Sequence, residues 1–280
     1  MEELGLSGDL IFITDNKIVK ICRTDQDRFI KNIKKQREFK ENSIKSVPIL
    51  NQGVNSNNEN FIEMPRLKCD NAMVWITKAT SNQIYDLEKI ILEYFSSIIN
   101  NSEKKEFDYN IWKNKLENLF YKINDIEIKN IIFYLNGIKF KNKLYYGNYH
   151  GDFTLTNLFV SNNKNNIEID AIDFLDSFIH SPINDLVKIR QDTKHLWTLN
   201  LIRNFNKIDT NRVLILLNHM DIQIEKFINK NKILSEYYLP FQLINLIRII
   251  PYIKDENIFI YLKEEIVDLF NTFKVENICQ

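Results

Sequence analysis

An aspartate and an asparagine stand five positions apart, at Asp152 and Asn157, in the run His150-Gly151-Asp152-Phe153-Thr154-Leu155-Thr156-Asn157. That spacing suits a catalytic loop for phosphoryl transfer, in which the carboxylate accepts the proton of an attacking hydroxyl and the amide oxygen holds a magnesium ion. This chemistry asks mainly for positioning and charge neutralisation, so one loop that presents both groups at the mouth of a cleft supplies much of it. The plainer alternative is a turn in which Asp and Asn only cap backbone groups.

Two further elements fit the same chemistry. Ile172-Asp173-Phe174, within IEIDAIDFLDS, reads as an apolar strand ending in an exposed aspartate, the place of a second magnesium ligand. Asp170 is a rival on the same strand, and strand alternation puts it on the face opposite Asp173. Near the start, Ile18-Val19-Lys20-Ile21 sets a lysine among β-branched residues, where it can reach the α- and β-phosphates of a nucleotide. Glu38 on the following helix is the expected ion-pair partner, with Glu41 one turn on as the substitute; the alternative is a solvated surface lysine. Upstream, Gly5-Leu6-Ser7-Gly8 is a candidate loop over the phosphates, with Ser7 and Gly8 as its contacts.

These groups need elements to carry them. Asp9 to Cys22 reads as a hairpin turning at Asp15-Asn16. A helix follows, capped by Thr24 or Asp25, with Phe29, Ile30, Ile33 and Phe39 at roughly helical spacing. SVPIL and NFIEMPRL read as two strands around a Gly/Asn/Ser-rich loop. From Asn82 the pattern is helical (82–100, 111–123, 126–135), then strand and loop around the Asp152 motif, then helical again from Asn184. The expected fold is α+β: a small β-rich nucleotide lobe over residues 1–68 and a large, mainly helical lobe over 69–280 that carries the catalytic loop and the acceptor site.

Composition excludes other classes. The chain has 280 residues, 44% of them hydrophobic, enough to bury a core. Lys+Arg and Asp+Glu both number 37, and no basic stripe of the kind that tracks nucleic acid is visible. Three cysteines (Cys22, Cys69, Cys279) form no CxxC pair, and the four histidines show no metal-ligand spacing. The opening MEELGLSGDL lacks the features of a signal peptide, and no apolar run is long enough for membrane insertion. The expected location is cytoplasmic.

With these motifs in place, the chain resembles the aminoglycoside phosphotransferase and choline kinase superfamily, whose fold is protein-kinase-like. The resemblance rests on His150 to Asn157, on Ile172 to Phe174 and on Ser181-Pro182-Ile183-Asn184-Asp185-Leu186, and it follows most of the chain by order of elements. It implies ATP and Mg2+ as cofactors, Asp152 as catalytic base, Asn157 and Asp173 as metal ligands, and Lys20 with Glu38 on the nucleotide side. It also implies a hinge at Phe61 to Met64 whose backbone meets adenine, which makes Glu63 and Met64 nucleotide contacts, and a structural Asp185. Three departures stand out: Gly151 where protein kinases carry arginine, a glycine-poor phosphate loop, and His180-Ser181-Pro182 in place of an Asp-Pro pair. The stretch Phe174 to Asn184 is too short for the activation segment of a protein kinase. Lys188, Arg190, Asp192 and Trp197 are candidate acceptor contacts, against the plainer reading of a helix with a solvated charged face. HGDFTLTN is similar to kinases associated with bacterial surface-polysaccharide synthesis, which implies a sugar or polyol acceptor. Choline, ethanolamine and aminoglycosides are the alternatives, as is a non-catalytic nucleotide-binding pseudokinase.

Overall fold

The computed structural model describes residues 2–4, 8–163, 166–201 and 207–278. Strands β1 (Glu2–Leu4), β2 (Leu10–Ile13) and β3 (Lys17–Ile21) come first, then helix α1 (Gln26–Glu38). Short strands β4 (Lys45–Ser46), β5 (Asn51–Val54), β6 (Asn60–Pro65) and β7 (Asp70–Asn71) follow, with α2 (Ala72–Ile76) and the long α3 (Ser81–Asn100). Next come β8 (Glu103–Lys105), α4 (Tyr109–Lys122), α5 (Ile126–Asn136) and β9 (Leu144–Tyr146). Beyond the Asp152 loop, a 3-10 turn at Leu155–Asn157 opens β10 (Leu158–Asn163), and β11 (Asn166–Ala171) runs back toward Asp173. The remainder is helical: α6 (Ile183–Thr193), α7 (Trp197–Leu201), α8 (Lys207–Asn229), α9 (Lys232–Ile247) and α10 (Glu256–Ile278). The architecture is α+β, sheet-rich first and helical afterwards, as the sequence pattern implies. Among the described residues, no helix is long and apolar enough to cross a membrane.

The chain divides into two compact units, residues 1–97 with 150–177, and residues 98–149 with 178–280. The catalytic segment therefore groups with the N-terminal sheet, whereas the sequence pattern places it in the helical region beginning at residue 69. Strand pairing supplies the reason. In a four-stranded sheet ordered β4-β11-β10-β7, β4 lies parallel to β11 and β7 antiparallel to β10, so both ends of the catalytic hairpin are sewn to N-terminal chain.

The first unit also holds a five-stranded antiparallel sheet in the order β1-β2-β3-β6-β5. Its hairpin β2–β3 turns at Asp15–Asn16, the residue types a tight turn favours. Asp25, one of the two expected caps, starts α1 by accepting the Arg28 N–H at 3.0 Å. Phe29 and Ile33 of α1 pack with Cys22, Val47, Ile62 and Met64 on one face of this sheet. Fully burying side chains of this size is worth roughly 1.5–3 kcal/mol each. The strand expected over SVPIL is split: Lys45–Ser46 pairs with β11, where Val47 N also donates to Ala171 O at 3.1 Å, and Asn51–Val54 pairs with β6. Pro48 lies between them with no N–H to give a ladder, and pairing with β6 begins with Leu50 N donating to Glu63 O at 2.8 Å.

In the second unit α6 is buried on all sides. Two of its charged groups have partners within this unit. Arg190 reaches Asp221 of α8 with two hydrogen bonds of 2.7 Å, sits 4.7 Å from the Tyr238 ring and meets Glu225 at 3.2 Å. Asp192 accepts from Thr198 Oγ1 at 2.6 Å. This corrects both sequence readings of the segment: Arg190 and Asp192 neither wait for an acceptor nor face solvent, and Lys188 is buried with them.

Removing one partner of a buried ion pair strands the other charge, so Asp221→Asn is expected to destabilise the protein by about 3 kcal/mol. Urea unfolding measures it, and a loss below about 1 kcal/mol, the range of surface pairs, would show that the Arg190 cluster is solvated.

Candidate active site

The loop at 150–157 and the segment at 172–176 lie against each other through their backbones. His150 O accepts from Leu175 N at 3.0 Å, and Asn157 O accepts from Ile172 N at 3.0 Å. The His150 ring, fully buried, closes the same seam. Its Nδ1 lies 3.1 Å from the Asp152 N–H, which can only donate, so Nδ1 accepts and the ring proton is on Nε2. Nε2 then donates to Ile172 O at 2.7 Å. One neutral imidazole thus fixes the backbone of the candidate base to the strand that presents the candidate metal ligand.

Gly151 makes the close approach possible. It has φ +92°, and a Cβ added there would lie 1.9 Å from Leu175 O. The glycine found where protein kinases carry arginine is therefore a steric requirement of this loop. Behind it lies an aromatic cluster. Phe153 stacks on Tyr94 at 4.6 Å, and Phe174 meets His150 at 4.2 Å and Phe39 at 4.8 Å. The Phe of each motif anchors the polar residue that precedes it.

Asn157 donates its amide N–H to Asp152 O at 2.8 Å and to Asp152 Oδ2 at 3.0 Å, which turns its Oδ1 away and leaves it to accept a cation. Asp173 sits just past the end of β11 at φ +59°, a left-handed conformation that is strained for a residue with a Cβ and that clusters at functional sites. Its Oδ1 is 3.0 Å from Lys20 Nζ, joining residues 153 positions apart in sequence. Lys20 also lies 3.7 Å from Asp9 Oδ2. Burial works against the Lys20 charge, but Asp173 and then Asp9 outweigh it and hold its pKa above the usual lysine value. Asp170, the rival ligand, faces Lys45 instead, and burial pushes its carboxyl up.

The oxygen donors Asn157 and Asp173 fit magnesium, which takes one or two protein carboxylates together with substrate phosphates. Among the described residues no group of three or more His, Cys, Asp or Glu could hold a metal by itself.

Other expected contacts are corrected. Glu38 does not reach Lys20; its side chain is 66% exposed and lies 3.9 Å from Lys34. It follows buried Gln36 by two residues, about 200° around the helix, so it points outward. Glu41 accepts from Ser97 at 2.7 Å and is not available to Lys20. Of the expected hinge at Phe61–Met64, residues 61–63 pair with β3 on one side and β5 on the other, so the sheet takes up their backbone, while Met64 pairs with β3 alone. Glu63 turns its side chain to Lys17 at 3.0 Å, and Met64 is buried under Gln36, whose Nε2 lies 3.3 Å from its sulfur. The chain leaves the sheet only after Pro65. Gly8 has φ +83° and delivers the chain into Asp9, while Ser7 lies outside the described residues.

Sequence reasoning missed Asp9, and it missed a clamp from α1. Asn32 Oδ1 accepts from Asp176 N at 2.8 Å, and Lys35 Nζ donates to Leu175 O at 2.6 Å. The clamp leaves no pattern in the sequence, because side chains there meet backbone atoms. Asp9 did leave one: in the hairpin register Ile11 faces Lys20, so Asp9 is its diagonal neighbour.

The chain has the protein-kinase-like fold in the form found in the aminoglycoside phosphotransferases. The apo structure of a thermostable mutant of aminoglycoside phosphotransferase APH(4)-Ia matches it with a TM-score of 0.62, covering 97% of this chain and 94% of that one at 9% identity. A ternary complex of such a mutant with AMP-PNP and hygromycin B also gives 0.62, covering 97% and 92% at 10% identity. The GDP complex of wild-type aminoglycoside 2'-phosphotransferase-IIIa gives 0.53, covering 96% and 89% at 13% identity. At such identities the likeness is one of fold. No protein-family model and no curated protein matches the chain.

Gly151→Ala is expected to lower stability by about 1–3 kcal/mol from backbone strain alone. Gly137→Ala, whose new Cβ would meet only Tyr134 O at an ordinary 3.4 Å, is expected to be near neutral. Thermal unfolding compares them, and equal losses would refute the steric account of the loop.

Proposed function

We propose that this protein is a kinase that transfers the γ-phosphoryl group of ATP to a hydroxyl of a small acceptor. The observation that supports the reading is the pair of contacts Lys20–Asp173 and Asn157–Asp152 within one compact unit, whose groups are of the types that phosphoryl transfer needs. In this reading Asp152 accepts the proton of the acceptor hydroxyl as the new O–P bond forms. The bond between the γ-phosphorus and the β–γ bridging oxygen breaks, its electron pair leaves on ADP, and the proton passes to solvent. Lys20 offsets charge on the α- and β-phosphates, and Asn157 and Asp173 hold the magnesium. When bound, magnesium supplies charge neutralisation at the phosphates.

For the acceptor we favour a sugar or polyol hydroxyl, on the form of the HGDFTLTN loop. Neighbours of the same fold were solved with the aminoglycosides hygromycin B and kanamycin, which supports a second reading in which the acceptor is itself an aminoglycoside.

The test is acceptor-dependent ADP release from Mg-ATP with hexoses, heptoses, choline, ethanolamine, homoserine and aminoglycosides. Asp152→Asn is expected to bind nucleotide like the wild type and to lose about 10²–10⁴-fold in turnover. Undiminished turnover would remove Asp152 as the base. Asp173→Ala is expected to weaken nucleotide binding more in the presence of magnesium than in its absence. Nucleotide binding with no release for any acceptor would favour a binding module.

A further inference from the structure

We propose that Asp9 is the positioning carboxylate of Lys20, doing from the sheet what the sequence pattern expects of a carboxylate on helix α1; the proposal rests on Lys20 being the phosphate-facing lysine. Both acidic residues of α1, Asp27 and Glu38, are exposed, and the buried positions of the helix are Phe29, Ile33 and Gln36. The helix contacts the metal segment through Asn32 and Lys35, and Lys20 is held from elsewhere.

Asp9 is built for that role. The β2–β3 register pairs Ile11 with Lys20, so Asp9, two residues before Ile11, shares its face and stands diagonally across from the lysine. It is only 6% exposed, and a carboxylate taken out of water must be paired. One oxygen is fixed by the Arg23 N–H at 3.2 Å, which leaves the other 3.7 Å from Lys20 Nζ. The positive-φ turn at Gly8 sets the approach.

A second carboxylate is needed because Asp173 has two tasks. It lies on Lys20 and is also the candidate metal ligand; when it turns toward a cation, Asp9 keeps the ammonium in place. The groups facing Lys20 are thus Asp173 from the metal segment and Asp9 from its own sheet.

Asp9→Asn isolates the charge, because the amide oxygen still accepts from Arg23 N–H. The first readout is the position of Lys20 Nζ in crystal structures of the wild type and both variants with Mg-ATP. With the Asp9 charge gone, Nζ is expected to move out of salt-bridge distance of residue 9. The second readout is ATP affinity by calorimetry, expected to weaken several-fold in Asp9→Asn. Glu38→Gln is expected to change neither, and thermal melts confirm that both variants fold. A Lys20 Nζ that keeps its place in Asp9→Asn, an equal change in Glu38→Gln, or unweakened ATP binding in Asp9→Asn overturns the assignment of Asp9. A wild-type protein that binds no ATP overturns instead the reading on which it rests.

Discussion

The candidate site depends on one close approach between backbones. Residues 150–157 and 172–176 are distant enough in sequence to be separate motifs, yet the Leu175 carbonyl occupies the space where any Cβ at position 151 would be. Two backbone hydrogen bonds and the His150 ring hold the seam. Once it closes, the order of the chain sets Asp152 and Asn157 on one of its segments and Asp173 on the other, and Phe153 and Phe174 join a common aromatic cluster. Pairing of β10 with β11 brings the two segments into register and so converts two weak sequence motifs into one site.

Electrostatics then decides what that site can hold. A half-buried ammonium between two carboxylates is favoured as a charge, and the cluster carries one surplus negative charge when both acids are ionised. On the proposed reading, Asn157 and Asp173 would offer hard oxygen donors to a divalent cation brought by a nucleotide. The strained φ of Asp173 belongs with this: the backbone is held where its carboxylate meets Lys20 rather than where the strand would relax.

Much of this is legible in the sequence. The Asp-x4-Asn spacing and Ile-Asp-Phe mark three residues that the fold brings together, and turn and cap chemistry locates the first hairpin and α1 within a residue or two. Other expectations fail for definable physical reasons. Distance along the chain favours Glu38, but helical phase turns it to solvent. A hinge within Phe61–Met64 suits the local pattern, because a single strand does not reveal that it has neighbours on both sides. The polar face of α6 looks solvated because its partners, Asp221 and Tyr238, come from helices much later in the chain. In each case the missing information is tertiary.

The central claim is that Lys20, Asn157 and Asp173 together form a site for a metal–nucleotide complex. Calorimetric titration of ATP into the wild-type protein, once with excess magnesium and once with a chelator, addresses it directly. The account predicts binding that is markedly tighter with magnesium. Binding indifferent to magnesium, or none under either condition, would contradict it.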